Sequence, residues 1–393
     1  METPGIYIQV PFCASKCSFC NFSSRVAPVD VYDDYCGALC AEIDQLNQFY
    51  EAAGIDWSAF AATVDTVYIG GGTPSLLGSA RLSKIIKRLY RHFRFASHVE
   101  FTLEFTPGSA DSYFLKHARE AGINRLSIGA QSFTDAELRS VGRLHSAEDA
   151  RQAVKVARGQ GFTNVSLDLI AGLPHQTEES WQATLRSAME LRPEHISVYL
   201  LEVDEKSRLG GEVLRHGSRY HADFVPDDDF MAGAYDRARA VLQQQGYIQY
   251  EISNFALPGF ESAHNLKYWQ LKPYAGLGAG AHSFDGRCRW QNETSVPAYQ
   301  TMLAHNESPI QELHQLSPGE QIEEFFFLGL RRREGVNILD AVQRWGSEFV
   351  APWMLKLDEL ERDEWLKRAG NQVRLADRAL LVSNEIFQEF VAA

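Results

Sequence analysis

The sequence predicts an α/β protein whose core is a partial (β/α)6 barrel, TIM-like but not a full circle. Apolar, β-type runs alternate with helical patterns from residue 5 to about residue 200, which is typical of parallel strands joined by crossover helices. A cysteine-rich and a glycine-rich motif follow the first two runs, at the edge where parallel α/β proteins bind ligands. From about residue 310 the pattern is mainly helical, which indicates a separate C-terminal unit.

The barrel elements are predicted from runs of four to eight β-type residues and from apolar positions at helical spacing. The predicted strands are 5–10, 66–70, 98–104, 125–130, 164–170 and 195–201. The predicted helices lie near 30–52, 79–93, 109–121, 146–160 and 177–191. Six such strand–helix units make an open barrel whose functional face is formed by the carboxyl ends of its strands.

Beyond the barrel the pattern is looser. We expect a surface connection over 205–230, a helix over 228–245, one strand over 247–256 and an extension of the barrel over 274–284. The C-terminal unit is predicted to be α-rich and winged-helix-like, and to end in a short hairpin and a helix. The expected domains are a core barrel (1–225), a barrel extension (226–308) and a C-terminal domain (309–393).

Composition excludes several classes of protein. The formal net charge of −13 disfavours a nucleic-acid partner, because nonspecific binding to phosphates needs a basic surface. The sequence has no apolar run long enough to span a membrane and no signal peptide, although peripheral membrane contact stays open. Six cysteines in 393 residues are too few for a disulfide scaffold. We therefore expect a cytoplasmic protein whose clustered cysteines bind metal.

Three cysteines, Cys13, Cys17 and Cys20, lie within the loop after the first strand, in "PFCASKCSFC". Thiolates are soft ligands for zinc or for an iron–sulfur cluster. A closed zinc site needs a fourth ligand, which Cys36 or Cys40 could supply, although both lie among apolar residues at helical spacing and are better interpreted as buried structural cysteines. A 4Fe–4S cluster held by only three cysteines leaves one iron open to a small chelating ligand.

The C-x3-C-x2-C spacing, with Phe19 before the last cysteine, resembles the signature of radical S-adenosylmethionine (SAM) proteins. This resemblance implies a 4Fe–4S cluster on the three cysteines, with SAM chelating the open iron. The segment "GGGTPS" (70–75) contains Gly71, Gly72 and Thr73 and follows the second strand. By itself it could be an ordinary strand-to-helix turn; by resemblance, it contacts the amino group of SAM.

The motifs "LEFTPGS", "RLSIGAQSF", "VGRLH" and "LDLIAGLPHQT" resemble those of the oxygen-independent coproporphyrinogen III oxidase family. The resemblance runs from Tyr7 to about Phe284. It implies that the amino-acid part of SAM is contacted by Tyr7, Glu104 and Arg143. It implies that the ribose and adenine are contacted by Gln131, Asp168 and Phe19. The residue types suit these roles, because carboxylates pair with ammonium and hydroxyl groups and a guanidinium pairs with a carboxylate.

Two features separate the oxidases of this family from its haem chaperones. Phe22 stands where the oxidases carry a fourth cysteine, and "HNLKYW" looks like the HNxxYW motif of the HemW haem chaperone group. The chain also begins almost at the first strand, without the N-terminal extension of the oxidases. The resemblance implies haem contacts from His264, Asn265, Tyr268 and Trp269, with His282 as a second candidate ligand. Without the resemblance, a structural histidine and core aromatic residues would be favoured.

One position departs from the family pattern Y-x-H-I-P-F-C. This chain reads "YIQVPFC", so Gln9 stands where the family has histidine. An amide cannot relay a proton or ligate iron as an imidazole does, and the contribution of that histidine is therefore in question here.

The sequence thus predicts a haem chaperone that binds a 4Fe–4S cluster, SAM and haem and passes haem to an acceptor protein. The alternative is an enzyme, an oxygen-independent coproporphyrinogen III oxidase that decarboxylates porphyrinogen propionates. An RNA-modifying radical SAM enzyme is disfavoured by the acidic charge.

Overall fold

A computed structural model describes residues 3–56, 58, 60 and 63–391. The first half of the chain is a series of strand–helix units, as predicted. Its strands are β1 (Gly5–Val10), β2 (Val64–Gly71), β3 (Phe95–Phe105), β4 (Arg125–Gln131), β5 (Val165–Ala171) and β6 (His195–Leu200). Its helices are α1 (Asp30–Ala52), α2 (Gly78–His92), α3 (Ser112–Glu120), α4 (Asp135–Ser140), α5 (Ala147–Gly159) and α6 (Glu178–Glu190). The short helix α4 was not predicted.

The middle of the chain extends this sheet on both sides. Its helices are α7 (Arg208–Leu214), α8 (Asp228–Gln244), α9 (Ala263–Trp269) and α10 (Val296–Ala304), with a 3-10 helix at Arg219–Phe224. Its strands are β7 (Ile248–Gln249), β8 (Asn254–Ala256), β9 (Tyr274–Leu277), β10 (His282–Phe284), β11 (Cys288–Asn292) and β12 (Ile310–Gln315).

The strands form one twelve-stranded sheet in the order β12-β11-β10-β9-β1-β2-β3-β4-β5-β6-β8-β7. Strands β1 to β6 are parallel neighbours, β9 is parallel to β1, and β8 is antiparallel to β6. The parallel part curves as an open barrel. We call the carboxyl ends of β1–β6 the top of the barrel and their amino ends the bottom.

In the middle of the chain, one prediction was wrong and a second was incomplete. The single strand expected over 247–256 is instead an antiparallel hairpin of β7 and β8. The chain turns between them because Glu251, which is fully buried, accepts a hydrogen bond from the backbone N–H of Ser253 at 2.8 Å. The surface connection expected over 205–230 contains α7 and the 3-10 helix Arg219–Phe224, so it is more ordered than its polar composition suggested.

The interpretation of two cysteines as structural is confirmed. Cys36 and Cys40 are 1% and 3% exposed and belong to the main apolar core, where α1 packs on the sheet. Burial raises the pKa of Cys36 to about 12, which keeps it a neutral thiol. These two side chains therefore act as small core residues.

The C-terminal region has its own small sheet. Its elements are α11 (Pro318–Gly329), β13 (Val336–Asn337), α12 (Ile338–Trp345), α13 (Ser347–Arg362), β14 (Leu366–Ala369), β15 (Gln372–Leu375) and α14 (Ser383–Gln388). The order helix, strand, two helices and hairpin matches the winged-helix-like arrangement that was predicted, with β15 between β13 and β14. The predicted domain boundaries stay a prediction, and β12 still pairs with β11 of the large sheet. Among the described residues, no helix combines the length and apolar character needed to cross a membrane.

Candidate cofactor-binding site

A cavity of about 630 Å³ opens at the top of the barrel, beside the loop that follows β1. Its size lies in the ~300–1,000 Å³ range of small-molecule pockets. The sequence placed these residues at strand ends, and the structure brings them together. The predicted residues that line the cavity are Cys13, Cys17, Phe19, Cys20, Gly71, Gly72, Thr73, Glu104, Gln131, Arg143 and Asp168.

Backbone hydrogen bonds hold the cysteine loop against the barrel. The N–H of Cys13 donates to the carbonyl of Arg25, and the N–H of Ser18 donates to the carbonyl of Val141, each at 3.0 Å. The Lys16 ammonium donates to two carbonyls of the same loop, and Arg208 donates to the Lys16 carbonyl. The loop is thus fixed before any cofactor binds, which preorganises its thiols.

The three thiols form one wall of the cavity. Burial raises the pKa of the Cys20 thiol, and the neighbouring Cys17 and Cys13 raise it further, as expected for a thiol that shares a wall with two others. The Arg143 guanidinium lies 3.6 Å from the Cys17 sulfur. Among residues 3–56, 58, 60 and 63–391, no three His, Cys, Asp or Glu side chains converge as one ion would require. Three thiols on one wall suit a 4Fe–4S cluster, because three irons of the cuboid each take one thiolate and the fourth stays open.

The glycine turn at 70–75 is shaped by the neighbouring cysteine loop as well as by the cavity. A side chain at Gly72 would clash with the carbonyl oxygen of Phe12, and Gly71 has a φ of 107°, a conformation that favours glycine. The N–H of Thr73 donates to that same Phe12 carbonyl at 2.6 Å. Close approach to the cysteine loop therefore explains Gly72, whereas the N–H of Gly71 points to Glu104 at 3.1 Å.

Two half-buried carboxylates face the cavity. Glu104 accepts a hydrogen bond from the Tyr68 hydroxyl at 2.6 Å, and burial, the larger influence, raises the pKa of Glu104 to about 7. Asp168 accepts hydrogen bonds from Ser197 at 2.8 Å and from Ser127 at 3.2 Å, and burial raises its pKa as well. Burial destabilises an ionised carboxylate, because it loses hydrogen bonds from water. A cationic or hydroxyl-bearing ligand stabilises it by replacing those hydrogen bonds.

Buried polar atoms without partners show that a polar ligand fits. The Gln131 carbonyl oxygen and the Arg143 Nε are both buried, and neither has a hydrogen-bond partner among the described residues. Gln131 also has a φ of 65°, a strained backbone for a residue with a side chain. Native proteins leave few such atoms unpaired. Ribose hydroxyls and a carboxylate are the complementary groups.

Phe19 and Tyr7 differ in how far the structure places them at this cavity. Phe19 packs on a small apolar cluster that includes Val141 and Ile170, as a wall for a flat ring would. Tyr7 is not among the lining residues. Its hydroxyl donates to the Gln9 carbonyl oxygen at 2.7 Å, inside the barrel. The residue that replaces the family histidine is therefore tied to Tyr7.

The residues predicted to contact haem lie elsewhere, on α9 at the bottom of the barrel. His264 is 0% exposed, and its two ring nitrogens are hydrogen-bonded to the hydroxyls of Thr66 and Tyr268, each at 2.9 Å. Burial lowers the pKa of His264 to about 3, so the ring is neutral. In this arrangement neither nitrogen is free to ligate iron.

Other residues of α9 contact both the bottom of the barrel and the C-terminal region. The N–H groups of Ala263 and His264 donate to the Glu100 carboxylate, each at 3.0 Å, so that side chain caps the helix. The Arg331 guanidinium lies 4.4 Å from the centre of the Trp269 ring. Asn265 is half-buried, and His282 is exposed on β10. The motif thus joins the barrel to the C-terminal region, and its haem contacts stay a prediction.

Four polar residues of the cavity and its support were not predicted from the sequence: Tyr68, Ser127, Ser197 and Tyr199. A signal was present, since each has apolar neighbours in its strand and lies on the side that faces the barrel interior. Strand alternation places Tyr68 two residues before Gly70, and Ser197 and Tyr199 two residues apart on β6.

Comparison with known proteins agrees with this architecture. The fold and the three-cysteine cavity define a radical SAM protein: residues 7–188 match the sequence model of the Radical SAM superfamily, and residues 316–382 match the HemN C-terminal domain. The chain is 34% identical to "Heme chaperone HemW" of Bacillus subtilis over 98% of both chains. It is 31% identical to the protein of the same name in Escherichia coli, over 99% of this chain and 98% of that protein. It therefore belongs to the HemW heme chaperone family.

A solved structure gives a similar picture. The structure reported as "Coproporphyrinogen III oxidase (HemN) from Escherichia coli is a Radical SAM enzyme" matches 100% of this chain and 91% of its own, with a TM-score of 0.84 and 25% identity. This chain therefore shares its open barrel and C-terminal region with that oxidase.

Proposed function

We propose that this protein is a haem chaperone that holds a 4Fe–4S cluster through Cys13, Cys17 and Cys20, binds SAM, and transfers haem to an acceptor protein. The observation that carries the proposal is full-length similarity to heme chaperones together with a fixed three-thiol wall in a cavity of polar, partly unpaired side chains. Both parts are needed, because the fold alone is shared with an oxidase.

Within the cavity, each side chain has a proposed role that follows from its chemistry. Glu104 would pair with the ammonium of SAM, beside the turn of Gly71, Gly72 and Thr73. The guanidinium of Arg143 would pair with the SAM carboxylate. A reduced cluster, when bound, supplies one electron to the sulfonium of SAM, and the barrel positions and shields that chemistry.

The remaining SAM contacts are assigned in the same way. Gln131 and Asp168 would hold the ribose hydroxyls through their carbonyl and carboxylate oxygens. Phe19 would cover the adenine. Tyr7 lies below the cavity, where its hydroxyl donates a hydrogen bond to Gln9. Its effect on the amino-acid part of SAM would therefore pass through Gln9. The family resemblance alone would make His264, Asn265, Tyr268 and Trp269 haem contacts, which would require His264 to leave its two hydroxyl partners.

We also propose a cytoplasmic location and three domains over 1–225, 226–308 and 309–393. All six cysteines are free thiols, which suits a reducing compartment. The acceptor protein is not identified by any residue described here.

The test is an anaerobic reconstitution followed by two assays. The cluster-loaded protein should bind ferric haem saturably and release it to a haem-free b-type cytochrome. With SAM, a reductant and coproporphyrinogen III, it should form no protoporphyrinogen. Catalytic formation of protoporphyrinogen would overturn the chaperone proposal in favour of the oxidase.

A further inference from the structure

A second cavity, of about 580 Å³, lies on the other side of the cysteine loop from the SAM site. Three segments form it: the loop itself, the end of α4 and the connection through α7 and the 3-10 helix. We call it the His221 groove. Its lining residues are Ser15, Lys16, Ser18, Arg139, Ser140, Val141, Gly142, Arg208, Ser218, Tyr220, His221, Asp223 and Phe224.

The His221 groove is basic, although the chain carries a net charge of −13. Among the described residues, Lys16, Arg139 and Arg208 line it together with one carboxylate, Asp223. Lys16 already donates to two loop carbonyls, and Arg208 donates to the Lys16 carbonyl and lies 5.2 Å from the centre of the Tyr220 ring. The Arg139 side chain is 72% exposed, and its carboxylate neighbour Asp135 is 4.0 Å away, at the limit of an ion pair. The Arg139 guanidinium is therefore available to an anionic ligand.

The groove also exposes aromatic and imidazole side chains to solvent. Tyr220 and Phe224 are 38% and 52% exposed, unusual values for aromatic residues in a cavity wall. The His221 Nδ1 lies 3.0 Å from the His175 Nε2, and the His175 ring packs 4.2 Å from the Phe224 ring. One nitrogen of this pair must donate to the other.

That hydrogen bond makes His221 a competent metal ligand in one of its two tautomers. When the His221 Nδ1–H donates to His175, the His221 Nε2 keeps its lone pair, which is how proteins orient ligating histidines. Among the described residues, the His221 Nε2 has no hydrogen-bond partner, in contrast to both nitrogens of His264. His175 therefore acts as a positioning residue.

The backbone holds this arrangement at a cost. Tyr220 and His221 are consecutive residues with φ of 57° and 60°, in the left-handed region that side chains disfavour. The N–H of His175 donates to the Phe224 carbonyl at 3.0 Å, which ties the two segments together. Strain of this kind persists where surrounding structure enforces it, and it clusters at ligand sites.

We propose that the His221 groove is the haem-binding site, with the His221 Nε2 as the iron ligand. Tyr220 and Phe224 pack against the porphyrin, and Arg139 and Arg208 pair with its propionates. The inference rests on the proposed haem chaperone function. A porphyrin with two carboxylates is the ligand that combines a flat apolar body, two anionic groups and an iron that binds imidazole.

The experiment titrates ferric haem into the cluster-loaded full chain, with difference spectra recorded against the same protein without haem. His221→Ala should lose the spectrum of imidazole-ligated iron and bind haem about tenfold more weakly, a loss of one ligand contact. His216→Ala is the matched control, since His216 is exposed on the same segment with a φ of 54° but does not line the groove. It should match the wild type.

Two further measurements separate ligation from damage to the groove. Metal-free protoporphyrin should bind His221→Ala and wild type alike, because it makes no iron–nitrogen bond. Arg139→Glu should weaken haem binding but not binding of the haem dimethyl ester, and Arg237→Glu, outside the groove, should change neither.

The outcomes are distinct. Wild-type spectra and affinity in His221→Ala, or loss of iron ligation only in a stably folded His264→Ala variant, would overturn the His221 groove while the chaperone function stands. Absence of saturable haem binding by the wild type would overturn the chaperone function, and the groove assignment with it.

Discussion

The two ends of the barrel carry motifs of similar clarity in the sequence but opposite physical character. At the top, the Gln131 oxygen and Arg143 Nε are buried without partners, and burial raises the Glu104 pKa to about 7. At the bottom, both His264 nitrogens are paired and the ring is fully buried. Two of the predicted SAM contacts thus keep unpaired buried atoms, whereas His264 keeps none, although the Nε1 of Trp269 in the same motif is buried without a partner among the described residues. Pairing of polar atoms therefore distinguishes His264 as a structural residue where motif strength does not.

The largest effect is expected at the top. Cys17→Ala should abolish the 4Fe–4S absorbance after anaerobic reconstitution, because two thiolates cannot retain the cuboid. Iron and sulfide content, measured together with the visible absorbance of the cluster, gives the readout. Cys36→Ala is the control, since Cys36 is buried in the core, and it should keep a full cluster. A stoichiometric cluster in Cys17→Ala would refute the ligand assignment.

The next effect is at the bottom, and it is one of stability. His264→Ala should lower the free energy of unfolding by about 3 kcal/mol, through lost packing and two orphaned hydroxyl partners. Urea denaturation of the cluster-free protein measures it. The exposed His98, changed to Ala, should cost under about 0.5 kcal/mol. If His264→Ala were as stable as the wild type, His264 would not have the structural role assigned to it.

The smallest effect sharpens the description of the top. Glu104, whose pKa burial raises to about 7, must be ionised to pair with the SAM ammonium, so SAM binding should weaken as the pH falls. From pH 8 to pH 6 the apparent Kd should rise about tenfold, as one protonation requires. Isothermal titration of the cluster-loaded protein measures this.

The matched variant is Tyr68→Phe, which removes the 2.6 Å hydrogen bond that stabilises the Glu104 carboxylate. Its pH midpoint should move upward, by up to about one unit. A pH-independent Kd in wild type would show that Glu104 does not carry the ammonium contact.

The sequence by itself determined the elements of the barrel and the cysteine loop. Local patterns encode them: apolar β-type runs specify strands β1–β6, and three thiols within eight residues must share a loop. The same local reasoning assigned Cys36 to the core, because it recurs at helical spacing with buried neighbours.

Only the tertiary structure decided which polar residues have their hydrogen-bonding groups paired inside the protein. The Thr66–His264 hydrogen bond spans 198 positions, and the pairing of His175 with His221 spans 46. The turn that splits 247–256 likewise depends on the burial of Glu251. A sequence motif gives the donors and acceptors of a residue, but partners distant in the chain decide whether those groups remain free for a ligand.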